Sequence, residues 1–209
     1  QSEITMLMRV AEQFGFNINT FTHILEGYKI ADKMKAHGVA ASTFSDWWRY
    51  KYEVMDAIPY NAAILDKMEI VTALNSDDAE MARRLNEEAA KAIKYGGTEE
   101  EAAFKMITLN PAKMLHLDDK MGSIKTGKDA DVVLWSDHPL SIKAKAEKTF
   151  VDGILYFDIE ADLEKRKYIA HERNRLIQKM IAHKNKGGKA EKPKPQKQHL
   201  WHCDDLGNY

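Results

Sequence analysis

Two side chains are best placed to do chemistry: His23, in "FTHILEGY", and Asp77, in "VTALNSDDAEMARRL". Each follows a short run rich in strand-forming residues, so each stands where a strand ends and a loop begins. In parallel α/β folds the carboxyl ends of strands face the functional loops. A lone histidine there is more often structural than catalytic. Asp77 also has an ordinary role open to it. Asn75, Ser76, Asp77 and Asp78 are all good helix caps, and acids suit the positive end of a helix dipole. One helix needs one cap, however, and here there are four candidates. Taken together the pair is more informative. Imidazole nitrogen and carboxylate oxygen are both zinc donors, and an open position on such an ion can hold an activated water. A carboxylate beside that water can take its proton.

The surrounding pattern alternates helix and strand. "SEITMLMRVAEQFG" puts Ile4, Leu7, Met8 and Ala11 on one face of a helix that ends at Gly15. "FNINTFTHI" reads as a strand, "EGYKIADKMKAHG" as a helix stopped by Gly38, and "VAASTF" as a short strand. "SDWWRYKYEVMD" has no clear period and reads as a loop. "IPYNAAILDKM" is a helix and "EIVTAL" a strand. "DDAEMARRLNEEAAKAIKYGG" is the strongest helix, with Met81, Leu85, Ala89, Ala92 and Ile93 as its buried stripe and Gly96–Gly97 as its end. Thr98 and Glu101 fit a capping box for a further helix running to Leu109, before Pro111. Such alternation predicts a parallel sheet built from about three βα units, too few to close a barrel.

After Pro111 the texture changes. "DADVVLW" and "KTFVDGILYF" are the two strongest strand signals, separated by glycine turns, and predict a small all-β element. "LEKRKYIAHERNRLIQKMIAHK" follows as a basic helix with Leu163, Ile169, Leu176, Met180 and Ile181 as its apolar positions. "NKGGKAEKPKPQKQ" is a linker without packing content. The expected domains are 1–115 (barrel portion), 116–158 (β-domain strands) and 159–209 (helix, linker and tail).

The bulk numbers narrow the function. The chain has 209 residues, 44% hydrophobic, with a formal net charge of -1, which does not describe a nucleic-acid binder. Charge is uneven, with 12 Lys and Arg against 5 Asp and Glu between Glu160 and Gln198, so an acidic body carries a basic tail. A single cysteine, Cys203, excludes a disulfide framework. No apolar run is long enough for a transmembrane helix. The sequence opens on Gln1, so we expect it to begin inside a longer protein, and localisation stays open between cytoplasm and periplasm or secretion.

The passages "THILEGYKIADKMKAHGV", "IVTALNSDDAEMARRLNEEAAKAIKYGGTEEEAAFKMITLNPAKMLHLDDKMGSIKTGKDADVVLWSDHPL" and "VDGILYFD" resemble the C-terminal half of an amidohydrolase-superfamily enzyme. The resemblance runs over roughly residues 1–158 and is nearest to the imidazolonepropionase-like and prolidase-like branch. Its most specific part is "TLNPAKMLHLDDKMGSIKTGKDADVVLW", which follows the superfamily's passage from barrel to β-domain. The resemblance implies a (β/α)8 barrel with a small β-sandwich. It implies one or two divalent metals, zinc foremost, and a metal-bound hydroxide that attacks an amide or cyclic amide C–N bond. His23 matches the histidine at the end of the sixth strand, as a metal ligand or as a group that contacts substrate or water. Asp77 matches the aspartate at the end of the eighth, which touches metal and takes the proton of the attacking water. "VAAST" matches the seventh strand. The family's first-strand His-x-His pair, fourth-strand bridging residue and fifth-strand histidine have no counterparts here. We therefore expect a fragment that is inactive alone, whose partner is the missing N-terminal half of the barrel. Small-molecule or peptide substrates fit that activity, nucleic acid does not, and homo-oligomerisation stays open.

Other candidates are weaker. Asp46, Trp47 and Arg49, in "DWWRYKY", would line the rim of such a site and contact substrate, or else pack structurally. "GSIKTGKDAD" has the glycines and lysine of a phosphate loop, but Asp129 stands where Ser or Thr is required and a strand follows in place of a helix. It is a turn. His199, His202 and Cys203 are a poor case for a soft-metal site, and Leu200 and Trp201 suit packing better. His37, His116, His138, His171 and His183 read as surface or packing residues. The rival to an enzyme is a binding or scaffold protein that keeps the fold and has lost the site.

Overall fold

The computed structural model describes residues 1–192, and the chain divides into two units, Gln1–Glu160 and Ala161–Tyr209. The expectations for His199, Leu200, Trp201, His202 and Cys203 fall outside the described residues.

The first unit opens with helix α1 (Ser2–Gln13) and then builds a parallel sheet from β1 (Thr20–Phe21), β2 (Ala40–Thr43) and β3 (Thr72–Leu74), in the order β1-β2-β3. Parallel neighbours need a crossover. The crossovers are α2 (Ala31–His37), preceded by a 3-10 turn at Gly27–Ile30, and α3 (Asn61–Lys67). Gly38 ends α2 in the left-handed conformation at φ 82°, where its backbone N–H reaches back to Met34 and Lys35. Apart from Ser42, β2 and β3 are wholly buried, as expected of a parallel sheet covered on both faces. One core cluster joins Met8, Ile30, Met34, Val39, Ala41, Leu65 and Ile70. A second joins Leu74, Ala89, Ala92, Ala103 and Met106.

β1 is much shorter than the strand expected over "FNINTFTHI". The reason is His37. Its Nε2 accepts from the backbone N–H of Ile18 at 3.1 Å, and its carbonyl accepts from the Asn17 side chain at 3.2 Å. The Ile18 N–H is thus satisfied by a side chain in place of a strand neighbour, and pairing with β2 begins only at Asn19, whose carbonyl accepts from Ala40 N at 2.9 Å. His37 itself is buried, with Nδ1 2.9 Å from Glu12.

After β3 the expected single helix is two, α4 (Ala79–Ala82) and α5 (Leu85–Gly96). The break falls at Arg84, with φ -133° and ψ 35°, and it lets α5 lie against α3. The expected helix to Leu109 is also two, α6 (Glu100–Lys105) and α7 (Leu109–Met114). Pro111 lies inside the first turn of α7, where no intrahelical N–H is needed, so it helps start a helix where we expected it to stop one. The capping box does not form. Glu99 is the cap residue, Glu101 is engaged by Lys105, and the Thr98 hydroxyl is buried without a hydrogen bond. The outer edge of β3 is partly covered by this segment. Leu74 N donates to Met106 O at 3.0 Å, and Asn110 Nδ2 donates to Thr72 O at 2.8 Å.

The unit ends in an antiparallel sheet of β4 (Val132–Trp135), β5 (Ala146–Val151) and β6 (Ile154–Asp158). Asp152 and Gly153, both at positive φ (51° and 75°), make the tight β5–β6 turn, which suits the right-handed twist of the strands. The phosphate-loop look-alike before it is a turn. Lys128 Nζ donates to Met121 O at 3.1 Å and to Ser123 Oγ at 2.8 Å, so its charge is used internally.

Helix α8 (Ile159–Asn185) supplies all of the helix or strand among the second unit's described residues. It has 27 residues and none is buried. Leu163, Ile169, Leu176, Met180 and Ile181 are all exposed.

Candidate active site

β1 and β3 flank β2, so residues at their carboxyl ends stand about two strand spacings apart, roughly 10 Å. His23 and Asp77 nevertheless meet. Nε2 of His23 lies 2.7 Å from Oδ2 of Asp77. Both residues have left-handed backbones, φ 60° and φ 44°. Such conformations are uncommon outside glycine and cluster where function over-determines the geometry. Here they turn both side chains inward over the end of β2. The pair is half open to solvent, at 54% and 41% of full side-chain exposure, so a small molecule can reach it.

Asp78 takes the structural role. Its Oδ1 accepts from the backbone N–H groups of Glu80 at 2.9 Å and Met81 at 3.1 Å, capping α4. Asp77 is therefore free of the helix and directed at His23. Asn75 accepts a short hydrogen bond from Ser42 and shapes the turn.

The backbone beside His23 is pinned. Ile24 N donates to Ser42 O at 3.0 Å, continuing the β1–β2 ladder. Ile24 O accepts from Nδ2 of Asn61 at 2.7 Å. Asn61 is 2% exposed, and it also donates to Thr43 Oγ1 at 2.9 Å and accepts from Tyr28 N at 3.0 Å. One buried amide thus ties together the ends of β1 and β2 and the start of the following turn. Sequence reading missed it. Its only signal was a polar residue within the otherwise apolar stretch "NAAIL".

The loop after β2 supplies the rim. The His23 ring stacks on Phe44 at 5.2 Å, Phe44 lies 4.8 Å from Trp47, and Trp47 lies 6.1 Å from Tyr50. Trp47 is thereby linked to His23 through Phe44. Arg49 points back into its own loop, with Nε donating to Met55 O at 2.9 Å. Both oxygens of Asp46 are engaged, Oδ1 by Trp47 N at 2.9 Å and Oδ2 by Lys91 Nζ at 2.7 Å. Burial pushes the Asp46 carboxyl up, but Lys91 and the Trp47 N–H outweigh it and hold its pKa below the ordinary value.

His23 and Asp77 are donors of the type that zinc takes. Among the described residues no cluster of three or more His, Cys, Asp or Glu is placed to hold an ion. The pair is thus chemically suited to be part of a metal's ligand set, and the described residues add no third member.

Most of the chain, residues 12–167, matches the amidohydrolase family. The chain belongs to that family. The amidohydrolase tasK of Hapsidospora irregularis is 27% identical over 169 residues, covering 78% of this chain and 17% of tasK. The imidazolonepropionase of Thermoplasma volcanium is 34% identical over 73 residues, covering 32% of this chain and 18% of that protein. The crystal structure of an amidohydrolase from Thermotoga maritima superimposes with a TM-score of 0.68 at 36% identity, covering 75% of this chain and 41% of that one. The matched part of this chain therefore covers less than half of each of these relatives. Its mixed α/β architecture is of the amidohydrolase type.

Proposed function

We propose that this chain is the C-terminal part of a metal-dependent amidohydrolase that cleaves a C–N bond in an amide or cyclic amide by attack of water. The observation that carries the reading is the 2.7 Å approach of His23 Nε2 to Asp77 Oδ2 at the carboxyl ends of β1 and β3. When bound there, a divalent ion such as zinc would supply Lewis acidity and an activated water. His23 and Asp77 offer it one nitrogen and one oxygen. The Asp77 carboxylate accepts the proton of the attacking water and passes it to the departing nitrogen as the C–N bond breaks. Phe44 covers one face of the His23 ring, and Trp47, packed on Phe44, stands at the rim of the space for substrate.

The remaining ligands belong to the part of the barrel outside this chain. Two features support that reading. The chain spans 41% of the Thermotoga relative. In addition, Met6, Leu7 and Val10 on α1, with Phe14 and Phe16 just beyond it, are exposed, which suits a face that packs against further barrel elements. The experiment is metal analysis and an amide-hydrolysis screen on the full-length protein. We expect bound divalent metal and turnover that is lost in Asp77→Asn. A metal-free, inactive full-length protein would refute the proposal.

A further inference from the structure

Glu88, on α5, is the one buried carboxylate among the described residues, at 1% exposure. A carboxylate without water must be paired. Lys91, one turn later, lies 2.9 Å from Oε1 and 2.7 Å from Oε2, and the Ser45 hydroxyl donates to the same group. Lys91 then reaches out of α5 to Asp46 at 2.7 Å. Asp46 in turn accepts from the backbone N–H of Trp47 at 2.9 Å.

The linkage runs from the helix behind the Asp77 strand to the loop that stacks on His23. Trp47 has φ 62° and Arg49 φ 57°, conformations that bulky residues adopt only under constraint. A second anchor lies alongside, where Trp48 meets Tyr95 of α5 edge-on at 5.5 Å. A buried ion pair is a poor means of adding stability, since apolar residues of equal volume would serve as well or better. Its distinctive product here is a fixed direction for one loop. That loop begins with Phe44, which stacks on the imidazole of His23, and Trp47, which packs on Phe44.

We infer that Glu88 and Lys91 are positioning residues that hold Asp46 and Trp47, so that the half-buried Trp47, seated on the buried Phe44, forms a recognition surface for a substrate carrying an apolar or aromatic ring beside the scissile C–N bond. This rests on reading His23 and Asp77 as the hydrolytic centre. Neither Glu88 nor Lys91 touches the reacting atoms. Offset or tilted ring stacking on Trp47 would supply the preference.

The test uses full-length enzyme and two amides that differ only in carrying a phenyl or a methyl group next to the scissile bond. In Lys91→Met we expect kcat/KM for the phenyl substrate to fall roughly 10- to 100-fold, mostly through KM, as a displaced positioning group does. The methyl substrate should change by only a few-fold. Lys91→Arg should restore the phenyl preference. Lys91→Met leaves Glu88 unpaired, so the neutral double variant Glu88→Gln/Lys91→Met is measured beside it and should show the same selective loss. Equal losses for both substrates, or none, overturn the inference. If wild-type enzyme cleaves neither amide, the ring preference fails, the hydrolytic reading is left to metal analysis and the broader amide screen, and the clamp is decided by trypsin. Cleavage after Arg49 and Lys51 should accelerate in Lys91→Met and return to the wild-type rate in Lys91→Arg. An unchanged cleavage rate overturns it.

Discussion

His23 and Asp77 form a 2.7 Å contact across the end of a strand to which neither belongs. Because β2 separates their strands, regular geometry would hold them apart, and the left-handed backbone at both positions closes the gap. The contact is exposed, so it adds little to stability, at most about 1 kcal/mol. An arrangement that is strained, solvent-accessible and of low structural value is what a reactive site needs. Asp77→Asn and His23→Asn should therefore leave folding nearly intact. In the full-length enzyme we expect kcat to fall by roughly 10²- to 10⁴-fold in Asp77→Asn, the range of a lost general base. Steady-state kinetics and thermal melts on the same samples check both halves of this expectation.

Asp77 and Asp78 should separate cleanly. Asp78→Ala removes a cap that two backbone N–H groups use, and should cost about 1 kcal/mol with activity largely retained. Asp77→Gly does the opposite. Glycine relieves the φ of 44° and should hold or raise stability by up to about 1 kcal/mol, while activity disappears. Denaturant titrations of both variants would expose an exchange of these roles.

How far the sequence disclosed this site depends on which interactions are local. His23 and Asp77 stand just past strand ends, where short-range pattern put them, although β1 stops at Phe21, earlier than the pattern gave it, and the choice of Asp78 among four candidate caps needed the structure. The direct contact of His23 and Asp77 does not follow from pattern, because it depends on backbone conformations that no periodicity encodes. Asn61, Glu88 and Lys91 are polar residues on helices, and only the packed structure shows that they serve loops belonging to other strands. The shortness of β1 was hidden for the same reason, since a distant histidine, His37, satisfies its backbone. The split of the long helix at Arg84 had no glycine or proline to announce it.

Asn61 offers a stringent test of that hidden layer. Asn61→Leu keeps the volume but leaves Ile24 O and Tyr28 N without their partner inside the fold. One buried and one part-buried unpaired group should cost about 1–3 kcal/mol. Asn61→Asp keeps the acceptor for Tyr28 N but replaces the donor to Ile24 O, so it should be destabilised as well. The His23 backbone is released in both variants. In full-length enzyme we therefore expect activity to fall even at temperatures where the variants are fully folded. Urea denaturation combined with kinetics at low temperature distinguishes this from simple loss of stability.

The Asp46–Lys91 link sets a pH window for the loop. Burial pushes the Lys91 pKa down, but its hydrogen bonds to Asp46 and Glu88 outweigh this and leave it raised. A raised pKa means that the link is fully formed below the ordinary lysine value, about 10.4, and is lost as pH climbs through the folded value above it. The Asp46 pKa is lowered, so its contribution is present above about 3.9 and is lost as pH falls through a still lower folded value. The loop should thus hold one conformation from about pH 5 to pH 10. Tryptophan emission compared between wild type and Lys91→Met tests this. A transition of the wild-type loop near neutrality, absent from Lys91→Met, would count against the link.

Gly96 makes the last prediction, because it sets two rules against each other. It occupies the final position of α5, where alanine ordinarily stabilises a helix by up to about 1 kcal/mol. Here a Cβ would lie 2.0 Å from the Cβ of Ala63 on α3, which no rotamer change can relieve. α3 carries Asn61, and α5 carries Glu88 and Lys91, so the two helices that hold the site's loops touch at this point. Separating them enough to admit a methyl group should cost about 1–3 kcal/mol, and the clash outweighs the propensity gain. Gly96→Ala should therefore lower the melting temperature. The double variant Gly96→Ala/Ala63→Gly should recover much of the loss, because it returns the missing space from the other side. If Gly96→Ala proves neutral or stabilising, α3 and α5 are not in close contact at this point.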